Sequence, residues 1–163
     1  MAKKRRTVDV LIEIPRGSRS KYELDKKNGR LRLSRVLSSS VHYRTDYGFV
    51  IDTTAEDGDQ LDVLLLVEEP SLPGSVQSAR PIGLLDMTDG KGLDVKILAV
   101  PEGDARFSDV AHINDLPDHW CREIKTFFET YKQLDRKAAP KIRSWHGPKA
   151  AWRAIDSGRK QKK

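Results

Sequence analysis

The residues Glu56-Asp57-Gly58-Asp59-Gln60-Leu61-Asp62 lead directly into the apolar run Val63-Leu64-Leu65-Leu66-Val67. A short apolar run that follows a turn predicts a buried strand, here over Leu61–Val67. A strand fixes what stands at its end, and carboxylates held at close range repel one another unless protons or cations lie between them. Magnesium binds oxygen ligands and keeps some of its waters. The stretch indicates a cation site, with a solvated acidic turn before a core strand as the alternative.

The composition is that of one domain with basic ends. The chain has 163 residues, of which 37% are hydrophobic and 33% charged, and its formal net charge is +6. Each end carries four Lys or Arg and no acid, so the body has a net charge of −2. We predict a basic N-terminal tail over residues 1–7, one domain over 8–157 and a basic C-terminal tail over 158–163. Solvated tails are the first interpretation, and weak attraction to RNA or a membrane surface is the second.

Cysteine usage and hydropathy indicate the compartment. The single cysteine, Cys121, excludes an intramolecular disulfide and suits a reducing environment. No apolar stretch approaches the roughly 20 residues needed to span a bilayer. The basic start is not followed by the apolar core of a signal peptide. We therefore expect a soluble, cytoplasmic protein without a membrane partner.

Alternating patterns predict a β-rich first part. Val8–Ile14 alternates, which places Glu13 opposite the Val/Ile face. Lys21–Leu24 and Arg30–Leu33 are joined across Asn28-Gly29, a strong hairpin signal. Two more strands are predicted at Ile82–Met87 and Leu93–Val100. Short strands separated by turns, with no helix before residue ~115, favour a closed or nearly closed barrel.

Two helices are predicted near the C-terminus. Asp115 is a suitable N-cap with Pro117 in the first turn, and apolar residues at spacings of three and four continue from Leu116 to Leu134. A shorter helix is predicted from Gly147-Pro148 to about Ser157.

Further charged residues could join the acidic turn. Asp89 and Asp94 belong to the next hairpin, and Glu13 and Glu23 project from the first strands. The basic candidates are Lys21, Arg35, Lys96 and Lys132. Each of these alone is typical of a solvated surface. The turn is not a calcium-binding EF-hand loop, because its glycine falls at the second position instead of the sixth.

Taken in order, these segments resemble the soluble family I inorganic pyrophosphatases. The motifs are Glu13-Ile14-Pro15, Lys21-Tyr22-Glu23, Arg35, Tyr43…Tyr47-Gly48, the Asp57–Leu66 run, Met87-Thr88-Asp89…Asp94-Val95-Lys96 and Phe127-Phe128…Tyr131-Lys132. The resemblance covers about Val8 to Leu134. It implies an α+β protein, with an OB-like five-stranded β-barrel, additional β-hairpins and two C-terminal α-helices packed outside. It also implies hydrolysis of pyrophosphate to two phosphates with several Mg²⁺ ions per active site.

The resemblance assigns a role to each candidate residue. Asp59 accepts a proton from a metal-bridging water that acts as the nucleophile, and Tyr47 belongs to the same catalytic group. The implied metal ligands are Glu23, Asp57, Asp62, Asp89 and Asp94. The implied phosphate-binding residues are Lys21, Arg35, Tyr47, Lys96, Tyr131 and Lys132, with Tyr43 and Glu13 in support. The resemblance also implies a homo-oligomer, with a hexamer as the first expectation.

The sequence departs from the family pattern at several points. Gln60 stands where proline is usual, Arg44-Thr45-Asp46 replaces Pro-x-Asn, and Gly90 replaces a frequent acid. Thr126 and Thr130 occupy positions where some relatives have histidines that hold the hexamer. These changes leave the turnover, the metal preference and the assembly open. Two alternatives also remain: an OB-type module whose basic tails bind nucleic acid, which we do not expect, and a hydrolase of nucleotide phosphoanhydrides.

Overall fold

The structure is a computed structural model that describes residues 4–162. Within that range the chain forms eight strands, two α-helices and three short 3₁₀ turns. The strands are β1 (Val8–Ile14), β2 (Ser20–Asp25), β3 (Arg30–Val36), β4 (Asp46–Val50), β5 (Asp62–Leu65), β6 (Val76–Asp89), β7 (Gly92–Pro101) and β8 (Lys141–His146). The helices are α1 (Asp118–Thr130) and α2 (Pro148–Lys162).

Five of the strands close into a barrel. The hydrogen-bonded order is β1-β4-β5-β7-β6, and β1 also pairs with β6 to complete the ring. β8 extends this sheet by pairing with β6, while β2 and β3 form a separate antiparallel hairpin. The predicted α+β class with an OB-like five-stranded barrel and two C-terminal helices is confirmed.

The alternation of side chains along the strands creates two apolar clusters. On β5, Leu64 packs in the cluster that contains Phe127 of α1, whereas Val63 and Leu65 pack in the cluster that contains Ile155 of α2. Each helix therefore covers one face of the sheet, and β5 is buried on both. This two-sided burial explains why the sequence of β5 reads as a continuous apolar run.

Gly48 allows β1 and β4 to approach closely. A Cβ atom at this position would lie 1.9 Å from the carbonyl oxygen of Leu11, so only glycine fits. Gly48 pairs with Ile12 on β1 and with Val63 on β5. This contact fixes the strand that carries Tyr47.

Several predicted boundaries were wrong. The acidic-turn strand is limited to Asp62–Leu65, and β6 begins earlier than predicted, at Val76. Helix α1 starts at Asp118, because Asp115 instead belongs to the capping box of the preceding 3₁₀ turn. Leu134 lies in a 3₁₀ turn beyond the helix and is 67% exposed, so it does not extend the apolar stripe.

The C-terminal region holds more structure than its sequence indicated. Strand β8 was missed, because only Ile142 and Trp145 are apolar in a run of basic and polar residues. Helix α2 continues to Lys162, so most of the segment interpreted as a tail over 158–163 is helical. At the other end, residues 1–3 of the 1–7 segment lie outside the described residues. No helix in the described part of the chain is long and apolar enough to cross a membrane.

Candidate active site

A cavity of about 510 Å³ lies between the β2–β3 hairpin, the acidic turn and the end of α1. Eleven of the twelve candidate residues line it: Lys21, Glu23, Tyr47, Asp57, Asp59, Asp62, Asp89, Asp94, Lys96, Tyr131 and Lys132. Glu13 and Tyr43 line it as well. Residues from seven separate parts of the sequence therefore share one small space.

Lys96 lies at the base of this cavity, between two carboxylates. Its Nζ is 2.7 Å from Asp62 Oδ2 and 2.9 Å from Asp94 Oδ1, and it donates a hydrogen bond of 2.9 Å to the Tyr47 hydroxyl. The parallel pairing of β5 with β7 sets this arrangement, because Val63 lies opposite Ile97. Only 6% of the Lys96 side chain is exposed. Asp94 and Lys96, two residues apart on β7, therefore point to the same side of the strand.

Burial and neighbouring charges shift the pKa values of Lys96 and Tyr47. Burial lowers the pKa of Lys96, but the surrounding acidic groups, Asp62 and Asp94 among them, raise it well above its ordinary value. Burial is also the main cause that raises the pKa of Tyr47 far above that of free tyrosine. At neutral pH the site therefore contains a charged lysine and a neutral tyrosine hydroxyl.

Two carboxyl groups near Lys96 have raised pKa values. Burial raises the pKa of Asp94, against the attraction of Lys96. Burial raises the pKa of Glu13 to about 7, assisted by the charges of Asp62 and Glu23 and opposed by a hydrogen bond from the Leu24 backbone. Burial, which disfavours the charged form of a carboxyl group, is thus the main cause of both shifts.

Glu13 also connects the barrel to the hairpin. Its Oε2 accepts a hydrogen bond of 2.8 Å from the backbone N–H of Leu24 on β2. On the same strand, Lys21 Nζ lies 3.0 Å from Glu23 Oε1. Glu13 thus holds the strand that presents Lys21 and Glu23 to the cavity.

The acidic turn is built from local hydrogen bonds. Gly58 adopts φ +87°, a conformation that favours glycine. The Asp59 N–H donates to Asp57 Oδ1 at 3.0 Å, and the Ala55 N–H donates to the Asp59 carbonyl at 2.6 Å. The Asp59 side chain is 79% exposed, with Lys26 Nζ at 3.6 Å. Lys26 lies in the hairpin turn, and no pattern in the sequence identifies it as a neighbour of the site.

Arg35 does not line the cavity. Its Nη1 lies 2.8 Å from Asp135 Oδ2, and its guanidinium is 5.8 Å from the centre of the Tyr131 ring. Lys132 lies 5.2 Å from the same ring. Asp135 follows the helix as one acid among several charged residues, and no pattern in the sequence identifies it as the partner of Arg35.

Asp46, one of the departures from the family pattern, points into a different environment. Its side chain is buried and accepts hydrogen bonds from the backbone N–H of Arg16 at 2.8 Å and of Ser71 at 3.3 Å. The neighbouring Arg44 pairs with Glu123 of α1. The partners of Asp46 and Arg44 therefore lie outside the cavity.

The donor set suits a hard divalent cation, although the carboxylates do not converge on one point. Among residues 4–162, no three His, Cys, Asp or Glu side chains lie close enough together to hold a metal ion. Lys96 takes the position between Asp62 and Asp94. The cavity nevertheless gathers carboxylate oxygens with no thiolate or imidazole, which is the chemistry of a magnesium site.

Comparisons with known proteins give one consistent result. A family model described as inorganic pyrophosphatase matches residues 10–163. The chain is 46% identical over 156 residues to the inorganic pyrophosphatase of Geobacillus stearothermophilus, covering 96% of this chain and 94% of that protein. It is 50% identical over 138 residues to the inorganic pyrophosphatase of Synechocystis, covering 85% and 81%.

Solved structures agree with these sequence matches. The inorganic pyrophosphatase of Thermus thermophilus superimposes with a TM-score of 0.93 at 41% identity, covering 99% of this chain and 94% of that one. The inorganic pyrophosphatase of Helicobacter pylori superimposes with a TM-score of 0.93 at 36% identity, covering 99% of each chain.

Proposed function

The chain belongs to the inorganic pyrophosphatase family and is a hydrolase, and we propose that it cleaves pyrophosphate to two phosphates with Mg²⁺, using Asp59 as the proton acceptor. The observation that carries this proposal is the cavity of about 510 Å³, which combines many carboxylates with lysines. Pyrophosphate offers little except charged oxygens. A site of this composition can bind pyrophosphate through positively charged groups, namely lysines and metal ions held by the carboxylates.

The carboxylates are proposed to hold the metal. Asp57, Asp62, Asp89, Asp94 and Glu23 all line the cavity, and together they provide oxygen ligands from four segments of the chain. When bound, magnesium would neutralise phosphate oxygens and lower the pKa of a water molecule. Lys96 holds Asp62 and Asp94 close together against their mutual repulsion.

The basic residues are proposed to bind the phosphates. Lys21 and Lys132 line the cavity together with the Tyr131 hydroxyl. Lysine and tyrosine groups donate hydrogen bonds to phosphate oxygens, and the lysines also stabilise charge that develops on the leaving phosphate. Arg35 can take part only if it leaves Asp135, with which it forms an ion pair of 2.8 Å.

Asp59 is proposed to accept the proton of the attacking water. It lines the cavity, and most of its side chain is exposed. Its backbone is held by hydrogen bonds to Asp57 and Ala55, which fix the position of the residue in the turn. An exposed carboxylate within reach of a reacting water can act as a general base.

A phosphate-release assay with purified protein tests the function. We expect phosphate to be released from pyrophosphate with Mg²⁺ and the reaction to stop when a chelator is added. ATP at the same concentration should be cleaved far more slowly, because the cavity is lined mainly by charged side chains that suit phosphate groups and metal ions better than a purine. Lack of turnover with every divalent metal tried would refute the proposal. Equal rates of hydrolysis of ATP and pyrophosphate would instead indicate that the substrates are nucleotide phosphoanhydrides.

We also propose that the chain forms a homo-oligomer, with a hexamer as the expected state. The support is the family resemblance alone, and it holds although the helix residues Thr126 and Thr130 depart from the histidines of some relatives. Sedimentation velocity over a range of protein concentrations measures the assembly directly. A single monomeric species at micromolar concentration would contradict this proposal without affecting the proposed reaction.

A further inference from the structure

Positive charge is concentrated in the last part of the chain. Residues 136–163 contain ten Lys or Arg and a single acid, Asp156, which gives a net charge of +9. The first 135 residues carry a net charge of −3. This part of the chain includes β8 and α2, which contact each other, and it contributes none of the candidate catalytic residues. Its charge is therefore not explained by the active site.

Helix α2 arranges part of this charge into one stripe. At about 100° per residue, Lys149, Arg153 and Lys160 fall within about 40° of one another around the helix axis. All three are exposed, whereas Ala151 and Ile155 are fully buried on the opposite side. The stripe extends for about 16 Å along the helix.

The only acid of this region, Asp156, lies on the same side and is already paired. Arg6 Nη2 lies 3.2 Å from Asp156 Oδ1, and the Arg6 guanidinium stacks 3.7 Å from the centre of the Trp152 ring. The N-terminal segment therefore brings one more positive charge beside the helix. We call Arg6, Lys149, Arg153 and Lys160 the basic face of α2.

We propose that the basic face of α2 binds the phosphate backbone of double-stranded nucleic acid without sequence preference. Lys and Arg side chains alone are sufficient for such binding, because it is driven by the release of counterions. The spacing of the charges along one line suits a linear polyanion. None of the four residues of the basic face lines the candidate active-site cavity.

Other partners fit this surface less well. A membrane-bound helix needs an apolar face to insert, and the apolar side of α2 is packed against the barrel. Protein interfaces are centred on buried aromatic or apolar anchors, and the one aromatic residue here, Trp152, is covered by Arg6. The same cover removes a stacking platform for single-stranded bases.

The number of charges sets the expected salt dependence. Contacts to three or four phosphates predict a slope of about −3 for the logarithm of the association constant against the logarithm of salt concentration. An increase from 50 to 200 mM salt should therefore weaken binding roughly 40-fold to 150-fold.

Fluorescence anisotropy of a labelled 20-base-pair duplex with the full-length protein tests the proposal. The variant Lys149→Gln/Arg153→Gln/Lys160→Gln should bind at least 10-fold more weakly and hydrolyse pyrophosphate at the parent rate. The matched control is Lys27→Gln/Arg30→Gln/Arg32→Gln, which removes three exposed charges from the β2–β3 hairpin and should change duplex affinity less than twofold. Asp156→Asn should strengthen binding, because it removes the only acid and frees Arg6.

Three results would overturn the proposal. Equal losses of duplex affinity in the two triple variants would show that binding depends on the net charge of the protein and not on the basic face of α2. No measurable binding at 50 mM salt would exclude the surface as a nucleic-acid site. Tighter binding to vesicles of phosphatidylglycerol and phosphatidylcholine than to the duplex would assign the face to a membrane instead.

Discussion

The aspartates of the candidate site lie in two different kinds of structure, namely barrel strands and an exposed turn. Asp62 and Asp94 are carried by β5 and β7, whose register is fixed by buried neighbours on both faces, and Lys96 lies between them. Asp57 and Asp59 belong to a turn in which the Ala55 and Asp59 N–H groups make local hydrogen bonds, and Asp59 is 79% exposed. One half of the site is held by the barrel, and the other half is solvated.

The difference shows how the fold handles charge repulsion. Strands bring carboxylates close together, which is unfavourable without a cation, so the chain places its own cation between them. Turn carboxylates stay in water and need no such partner. We therefore expect strand-borne residues to affect both stability and activity, and turn-borne residues to affect activity alone.

The substitution Lys96→Met tests the strand-borne half and should have the largest effect. It leaves Asp62 and Asp94 close together without a buried counter-charge, which should lower the free energy of unfolding by about 3 kcal/mol. Hydrolysis should also fall by more than 100-fold. Urea unfolding in the presence of a chelator measures the first change. Lys91→Met, at an exposed lysine of the same cavity, is the control and should be near neutral.

The substitution Asp59→Asn tests the turn-borne half. Loss of a general base typically lowers turnover by 10²–10⁴-fold, so kcat should fall at least 100-fold. The free energy of unfolding should change by less than about 0.5 kcal/mol, because the carboxylate is exposed. Steady-state kinetics and urea unfolding provide the two readouts. A parent-like kcat would remove Asp59 from the proposed mechanism.

The sequence predicted the barrel because strands with clear alternation or buried runs form most of the ring. The same reasoning missed β8, whose residues Lys141 and Arg143 look like a loop and whose pairing with β6 is decided by tertiary contact. It also ended α2 too early, because Gly158 reads as a stop signal. Inside the helix, this glycine is buried against Thr53 and Thr54.

The site could be outlined from the sequence only through resemblance. Burial and spacing alone left each charged residue with a surface interpretation, and no pattern indicated that Lys96 would bridge Asp62 and Asp94. Lys26 and Asp135 were missed because their partners, Asp59 and Arg35, are distant in sequence. Such contacts depend on how the hairpin folds over the barrel.

The substitution Glu13→Gln extends the comparison to pH. The pKa of Glu13 is about 7 in the folded protein, above its ordinary 4.5, so its contribution to stability is complete below about pH 4.5 and is lost as pH rises through 7. Over this pH range the contribution of Glu13 to the free energy of unfolding falls by about 3 kcal/mol. Glutamine keeps the acceptor for the Leu24 N–H but cannot ionise, so this variant should lose less stability than the parent between pH 5 and 8. Urea unfolding of chelator-treated protein at each pH gives the free energy of unfolding as a function of pH for the parent and the variant. Parallel slopes of the two curves would contradict the raised pKa of Glu13.

The substitution Gly158→Ala perturbs the base of the acidic turn. The Thr54 N–H donates to the Gly158 carbonyl at 3.0 Å, and a Cβ at Gly158 would lie 3.1 Å from Thr53 Cβ and 3.3 Å from the Thr54 oxygen. The better helix propensity of alanine, worth up to about 1 kcal/mol, should offset this crowding. Stability should therefore change little, while the Mg²⁺ concentration for half-maximal activity rises a few-fold because the turn shifts. Gly103→Ala, where nothing lies within 4 Å, is the control and should change neither quantity.

The substitution Lys26→Gln should have the smallest effect and gives the sharpest contrast with Lys96. Both lysines neighbour a site aspartate, but the Lys26–Asp59 pair is 3.6 Å apart with side chains 50% and 79% exposed. Pairs of this kind contribute between 0 and about 1 kcal/mol and weaken with salt. We expect unchanged stability, a change in kcat of less than threefold at low salt, and no difference from the parent at 0.5 M salt. If Lys26→Gln reduced activity as strongly as Lys96→Met, the turn would be held by its charges, and the division between a barrel-held half and a solvated half would be wrong.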